Sequence, residues 1–595
     1  MPQDAKKLSP SPASGPGTLP DWYPAWAREL ADLYFSRTTC LFVLHGNVHD
    51  LIPGPQNSPL SYTNLPEFLA TQLFGSWDLV LHYDLARGLR VLAGSDAKRL
   101  QDMMRRLTAT LGEPASWPRD PDAVFLWLDR FIERTLLEED KTRPSLAVVF
   151  DYAQYLVPPG ELGSLGRGPS TNLVRLLGWA QNPYIKRVNM TFCLLADQLA
   201  EVNDRLVQSP HVASLHLALP DTNERQRFCE QAAGKTEELS KVMEFTPAEL
   251  AKLSNGLSLS SLNVLLAQGK LSGRRVDAGR FRQLKKSLIE RQCRGLLEFL
   301  EPKHTLDLVV GQLAAKERLQ QDATLLSSGH LDAAPMGYLL CGPVGTGKTF
   351  LAECYAGSIG IPCVVLRNFR SKYVGETEGN LEQVLTVLRS LGPVVVLIDE
   401  ADAALGTRQA EGDSGTSSRV FSMIASQMGD TRYRGRIVWM LMTSRPDLLP
   451  IDLKRQGRAE VHIPLFYPQD EAEIREMFLV MARKNKVPLP NEALPAVSVE
   501  KHLSGSDIES IIIIAWRNAL AAGRTKVGKK DLEEALINFI PSAQGLEKEL
   551  QELSAVLECT QLNFLPRPWR EKVEKPDGRT RLQERLAAIR QLLQQ

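Results

Sequence analysis

The sequence predicts an α/β protein that uses one layout twice: a unit with a mainly parallel sheet, then a helical unit, then both again. Three observations predict it. The 595 residues exceed what one hydrophobic core holds, since cores stop growing beyond about 250–300 residues. Short apolar runs alternate with helical stretches in two separate blocks, the pattern of strands linked by crossover helices. Between and after the blocks the strand signals stop, and amphipathic helical patterns take over. The repetition is one of architecture, because the two halves share little sequence identity.

The elements follow in order. Residues 1–20 are rich in Pro, Ser and Gly and read as a disordered lead. The first α/β unit, within residues 21–294, carries the runs CLFVLHG from Cys40, DLVLHYDL from Asp78, LAVVFDYA from Leu146 and TFCLLAD from Thr191. From about Asp221 to Arg294 it turns helical, with AELAKLS and RFRQLKKSLIERQ. The second α/β unit, residues 295–467, carries GYLLCG from Gly337, CVVLR from Cys363, VVVLID from Val394 and IVWMLMTS from Ile437. A second helical unit covers residues 468–544. Residues 545–595 hold the leucine-spaced patterns LEKELQELSAVLE and RLQERLAAIRQLL around a Pro-rich break at Leu565 to Pro568. Those last helices either pair with a partner or a neighbouring subunit, or pack as a cap over the preceding helical unit.

Composition narrows the function classes. With 43% hydrophobic and 24% charged residues the chain has ordinary globular composition. Its formal net charge of zero gives no whole-chain field for nucleic acid or a membrane surface. No apolar run approaches the ~18–20 residues that span a bilayer, and the densest, Ile511 to Ile514, is far shorter. The N-terminus lacks the apolar segment of a secretory signal. Eight cysteines without a CxxC pair imply neither a disulfide framework nor a zinc site, so a reduced, cytoplasmic location is expected. HExxH is absent, which leaves no sign of an attached zinc protease.

Two motifs carry the chemistry. GPVGTGKT fits GxxxxGK[ST] and stands between an apolar strand and a helix, as a phosphate-binding P-loop must. The candidate nucleotide contacts are Gly342, Pro343, Val344, Gly345, Thr346, Gly347, Lys348, Thr349 and Phe350. The glycines let the backbone wrap phosphates, with amide N–H groups and a helix N-terminus facing the negative charge. Lys348 supplies a point charge for the β- and γ-phosphates, and Thr349 a hydroxyl for Mg²⁺. In VVVLIDEAD, Asp399 ends a buried strand where ligands of open α/β sheets sit. It is expected to hold Mg²⁺ through water, and Glu400 to polarise the attacking water.

With these motifs in place, residues from about Leu306 to Ile540 resemble an AAA ATPase domain of the branch containing Cdc48-like unfoldases and FtsH. The resemblance implies a P-loop NTPase sheet with a helical lid, the AAA+ fold. TSRPDLLPIDLKRQGR is similar to the family's TNRPDxLDPALLRPGR, which carries two trans-acting arginines over onto Arg455 and Arg458. An arginine finger stabilises charge spreading over the transferred phosphoryl group. The family's polar sensor, usually Asn, falls on Ser444, a hydroxyl of shorter reach. Val344 stands where the family usually carries a second proline. Gly505, Ser506 and Asp507 match the element where the lid meets the nucleotide, and Asn368 is the candidate restraint on Glu400. SKYVGETEGNL resembles the first pore loop, with Tyr373, Val374 and Gly375 at the aromatic-hydrophobic-glycine positions and Lys372, beside them in the loop, reading as an ordinary solvated charge. An aromatic grips any polypeptide by area; the alternative for Tyr373 is packing in a subunit interface.

The first α/β unit matches this architecture without the chemistry. HGNVHDLIP follows its first strand with no GK[ST], and Tyr152 follows Asp151 where a glutamate belongs. It reads as a degenerate AAA-like domain, with ring building, partner docking or regulation as its roles. His45 and His49 flank Asn47, and read as polar residues of the substitute loop rather than metal ligands, since no Cys/His cluster follows. The segment from Cys293 resembles the linker and leading helix of tandem proteins with an inactive first domain, known from bacteria and plastids. The resemblance implies a homo-hexameric, ATP- and Mg²⁺-dependent motor acting on a protein substrate. Two alternatives stay open: a slow ATPase serving as an assembly scaffold, and a nucleic-acid-associated motor, which the neutral charge and the Tyr-Val-Gly loop count against.

Overall fold

Both expected sheets are present, and their parallel strands run in the same order. The computed structural model describes residues 19–20, 22–54, 62–93, 97–139, 142–160, 165–232, 244–272, 276–367, 376–405, 416–541 and 545–594. In the first half the strands are β1 (Leu41–Gly46), the short pair β2 (Ile52–Pro53) and β3 (Tyr62–Thr63), β4 (Leu79–Asp84), β5 (Gly88–Ala93), β6 (Leu146–Phe150), β7 (Met190–Ala196) and β8 (Val212–Leu217). In the second half they are β9 (Leu297–Phe299), β10 (Gly337–Cys341), β11 (Cys363–Leu366), β12 (Val394–Ile398), β13 (Ile437–Thr443) and β14 (Val461–Pro464).

The sheet orders are β5-β4-β6-β7-β1-β8 and β14-β10-β13-β12-β11-β9. Numbered from the strand that leads into the loop of interest, each parallel core reads second, third, fourth, first, fifth. The sixth strand lies antiparallel on the same edge in both, but β5 follows its neighbour β4 in a hairpin whereas β9 enters from ahead of the second unit. The parallel strands are joined through crossovers, which need a dozen or more residues.

The apolar runs are strands because both faces of each sheet are covered. β4, β6, β7, β10, β12 and β13 are buried at every residue, as expected of parallel strands sandwiched between helices. Alternation then sorts the side chains: Leu41 and Val43 of β1 join one core cluster, Phe42 and Leu44 the opposite one. The strands without a clear sequence signal lie at edges. β8 has a mixed burial pattern and β14 is four residues ending in Pro464.

The helical unit of the second half has its own core, built from Phe478, Ile508, Ile511, Ile512 and Leu532, among others. Of the four-isoleucine run, Ile511 and Ile512 are buried and Ile513 and Ile514 face out. The C-terminal helices Leu546–Glu558 and Gly578–Gln594 correct the expected cap over this helical unit. They pack mainly on the α/β part: Val556 and Leu565 lie against Phe466, and Phe564 enters the cluster around Tyr338 and Leu340. The bond of Lys548 Nζ to the His502 carbonyl, 3.5 Å, links them to the helical unit.

By compactness the chain divides into residues 1–289 with 371–390, and residues 290–370 with 391–595. The described residues 376–390 thus group with the first unit, which the sequence did not foretell. Among the described residues no helix is long and apolar enough to cross a membrane.

Candidate functional site

In the second unit the strand order places β10 between β13 and β14, with β12 next beyond β13, so their carboxyl ends open on one crevice. A cavity of about 630 Å³ sits there. The sequence-predicted residues Val344 to Phe350, Asp399, Glu400, Ser444, Gly505 and Ser506 all line it.

The loop after β10 turns through left-handed glycines. Gly345 has φ +82°, and a Cβ there would lie 2.6 Å from Ser504 Oγ and 2.7 Å from Ser506 Oγ, so only glycine lets the loop meet the helical unit. The Gly505 N–H donates to the Gly345 carbonyl at 3.1 Å, closing that contact. Gly347, also left-handed, precedes the helix Lys348–Ile359, whose N-terminus faces the cavity. Lys348 Nζ donates to the carbonyls of Gly342 and Pro343, at 2.8 and 3.0 Å. Burial pulls its ammonium down to about 8, opposed by the negative field of Asp399 and Asp402.

Thr349 Oγ1 donates to Asp399 Oδ2 at 2.8 Å, bringing a hydroxyl and a carboxylate from two elements together. Asp399 Oδ1 accepts from the Glu400 N–H at 2.8 Å. Glu400 itself has φ +46°, left-handed for a non-glycine residue. Such a conformation costs on the order of 1–3 kcal/mol and persists where neighbours over-determine it. The turn aims an exposed carboxylate into the cavity beside Asp399.

Several lining residues had no motif to mark them. Thr443 ends β13 and donates to Asp402 Oδ1 at 2.6 Å, fixing the strand end that presents Ser444. Lys484 pairs with Glu509 at 3.0 Å and lies 5.1 Å over the Phe350 ring. Leu308, Val309, Phe466, Met477 and Met481 make one part of the wall apolar, suited to a flat base. Only helical spacing marked the methionines, and spacing alone reads as core. Asp507 does not line the cavity: with Ser504 it forms the capping box of the helix Gly505–Ala521.

Arg455 and Arg458 lie away from the cavity of their own chain. Arg458 Nη1 donates to the Asp452 carbonyl at 2.6 Å, and Arg455 is exposed, 3.6 Å from the Asp452 carboxylate. Asn368, Lys372, Tyr373, Val374 and Gly375 fall outside the described residues.

Residues 338–467 match the family described as ATPase family associated with various cellular activities (AAA). Residues 11–218 match the AAA+ chaperone N-terminal Rossmann-like domain, and residues 223–294 the AAA+ chaperone second helical domain. The chain thus carries AAA+ chaperone-type domains in its first half and an AAA domain in its second. It is similar to the ATP-dependent zinc metalloprotease FtsH 3 of Sphaerobacter thermophilus, 31% identical over 263 residues, which are 43% of this chain and 53% of that protein. A Cell division cycle protein 48 homolog of Archaeoglobus fulgidus is 32% identical over 237 residues, 37% of this chain and 32% of that protein. The AAA domain-containing protein ycf46 of Trieres chinensis is 28% identical over 309 residues, half of this chain and 60% of that protein. The chain spans about half the length, or less, of the first two relatives.

The first AAA+ unit keeps the geometry and changes the groups. Tyr152 has φ +55° and its N–H donates to Asp151 Oδ1 at 3.0 Å, the turn that Asp399 and Glu400 make in the second unit. Asp197, after β7, holds the place of Ser444 after β13, and bonds His49 Nε2 at 2.7 Å. That contact raises the His49 imidazole above its usual range. His45 faces His216 at 5.2 Å between ring centres and is pulled down to about 4 by burial. The loop crosses to the helix Leu259–Ser272 through Asp50, which accepts from the Leu259 N–H at 2.9 Å and the Ser260 N–H at 2.7 Å. A fixed carboxylate therefore caps that helix and ties the substitute loop to the helical part of its own unit.

Proposed function

We propose that the chain is the subunit of a homo-hexameric, Mg²⁺-dependent ATPase that remodels, unfolds or disassembles a protein substrate. The observation that carries this reading is the division of charged groups. Lys348, Asp399 and Glu400 converge on one cavity, while Arg455 and Arg458 lie off it beside Asp452. A phosphoryl-transfer site needs cations on both sides of the developing charge. Here the second set comes from a neighbour.

The residues present fit the metal, since Thr349 Oγ1 and Asp399 are adjacent hard oxygen donors. Bound Mg²⁺ would neutralise charge across the β- and γ-phosphates. The loop amides and Lys348 would hold the triphosphate. Glu400 would take the proton of a water attacking the γ-phosphorus as the bond to ADP breaks, with Ser444 orienting that water. Arg455 and Arg458 of the adjacent subunit would stabilise the spreading charge, so each turnover alters an interface and drives movement. The resemblance of residues 371–381 to a pore loop supports Tyr373 as the group gripping the polypeptide.

A second reading, an assembly scaffold with slow turnover, draws on Ser444 in place of Asn and on a first unit without a GK[ST] pair. Turnover separates the two: a wild-type rate no faster than that of Glu400→Gln favours the scaffold. The decisive experiment traps the Glu400→Gln protein with ATP, images the assembly, and identifies by mass spectrometry what fills its centre. A polypeptide in a six-membered ring supports the proposal. A monomer, or DNA in the channel with ATPase stimulated by DNA and not by protein, overturns it.

A further inference from the structure

The helix Leu546–Glu558 bears on the nucleotide site through one hydrogen bond. Gln551 is 7% exposed, and its Oε1 accepts from the backbone N–H of Val344, in the middle of the phosphate loop, at 3.1 Å. The carbonyl of the same residue accepts from Tyr467 Oη at 3.1 Å. Both polar groups of Val344 are thus bound by side chains outside the loop. Its own side chain, more than half exposed, contributes little packing to hold it.

The acceptor is well anchored. Lys548, one turn before Gln551, stands 4.0 Å over the Tyr467 ring. At the far end of the helix, Glu558 Oε1 lies 2.5 Å from Lys454 Nζ, and the Glu558 carbonyl is 2.8 Å from His462 Nδ1. Val556 packs on Phe466, which lines the cavity. A helix tied down at both ends presents Gln551 at a set position, so the amide it holds is set as well.

We infer that Gln551 is a positioning residue of the ATP site: it holds the Val344 peptide so that the loop beyond it, Gly345 to Thr349, is already shaped for phosphates before nucleotide arrives. The C-terminal extension is then part of the ATPase machinery. Without the acceptor, the Val344 N–H must find another partner, and the loop spends less of its time in the competent shape. Apparent affinity falls by that fraction. Chemistry in the filled site, which depends on Glu400 and Asp399, is left alone. This inference rests on the proposed binding of ATP at Lys348.

The test is a double-mutant cycle on the full chain, with ADP carrying a fluorescent label on the ribose as probe and steady-state phosphate release as the second readout. Gln551→Leu keeps volume and removes the acceptor; Val344→Pro removes the donor. Gln551→Leu is expected to raise the Kd for the probe and the KM for ATP about 3–10-fold, with kcat changed less than twofold. In the Val344→Pro background the same substitution is expected to change both by less than twofold, because no N–H is left to satisfy. Gln551→Glu, which keeps an acceptor, serves if the leucine variant does not fold, and is expected to bind the probe better than Gln551→Ala. An unchanged Kd in Gln551→Leu, a fall in kcat at constant KM, equal effects in both backgrounds, or equal binding by the Glu and Ala variants overturns the inference. Lys348→Ala is the control: if it binds the probe as tightly as wild type, the ATP-site reading itself fails, and the inference with it.

Discussion

Tyr152 and Glu400 occupy the same left-handed turn in their respective units. Each follows the aspartate that ends the third parallel strand, with φ of +55° and +46°, and each donates its N–H to that aspartate's Oδ1. The strained geometry has been kept in the first unit, where the side chain it presents is a phenol. Strain at Glu400 therefore belongs to the strand-end turn itself, and the residue type decides whether the turn does chemistry.

Glu400→Gln is accordingly expected to lower ATP turnover by on the order of 10²–10⁴-fold while nucleotide still binds. Phosphate release and equilibrium binding measured on the same preparation check it. The converse change, Tyr152→Glu, is expected to create no second activity, because the loop after β1 still lacks the lysine and hydroxyl of a GK[ST] pair.

Nucleotide affinity should depend on pH through Lys348. In the empty site burial holds its ammonium near 8, and a bound triphosphate favours the charged form. Binding then takes up a proton above pH about 8, and affinity is expected to be flat below that pH and to fall above it, by up to about tenfold per unit. The empty fold responds oppositely. Between about 8 and the unfolded value of about 10.4 the unfolded chain holds more protons, so this group's contribution to stability rises with pH there. Calorimetric titration in two buffers of different ionisation heat reads the proton directly. No uptake at pH 9 contradicts the assignment.

Asp50→Ala should loosen the first unit without touching the second. It removes an acceptor shared by the Leu259 and Ser260 N–H groups, a loss of about 1–2 kcal/mol for a helix cap. Hydrogen exchange should show faster exchange at those two amides, while Glu400-dependent turnover stays within about twofold. Unchanged protection there means that other groups hold this helix N-terminus.

Arg458→Ala is expected to abolish turnover in a uniform assembly but to be rescued by mixing. Doping it with Lys348→Ala subunits creates some interfaces where an intact cavity meets an intact arginine. Activity of the mixture above the sum of its parts is the signature of a shared site. Strict additivity would mean that Arg458 acts within its own chain.

Tyr373→Ala should leave ATP binding intact and remove work on a polypeptide partner. Unchanged unfolding of a tagged reporter protein by this variant sinks the threading part of the proposal.

Much of this was legible in the chain alone, and for a physical reason. Phosphate binding needs a glycine-rich turn, a lysine and a hydroxyl at fixed spacing, and the metal-binding aspartate must end a buried strand. Lys348, Thr349, Asp399 and Glu400 could therefore be named from local pattern, as could every central strand, since burial on both faces demands unbroken apolar runs. The edge strands β8 and β14 were silent, β8 because partial exposure relaxes that demand and β14 because it is only four residues ending in Pro464. What only the tertiary structure decided depends on groups far apart in sequence: that Thr443 braces Asp402, that Asp50 caps the helix Leu259–Ser272, that the C-terminal helices pack on the α/β part, and that Gln551, some two hundred residues from Val344, is the acceptor its amide needs. A hydrogen bond between distant residues leaves no periodicity and no motif; it exists only once the chain has brought the two partners together.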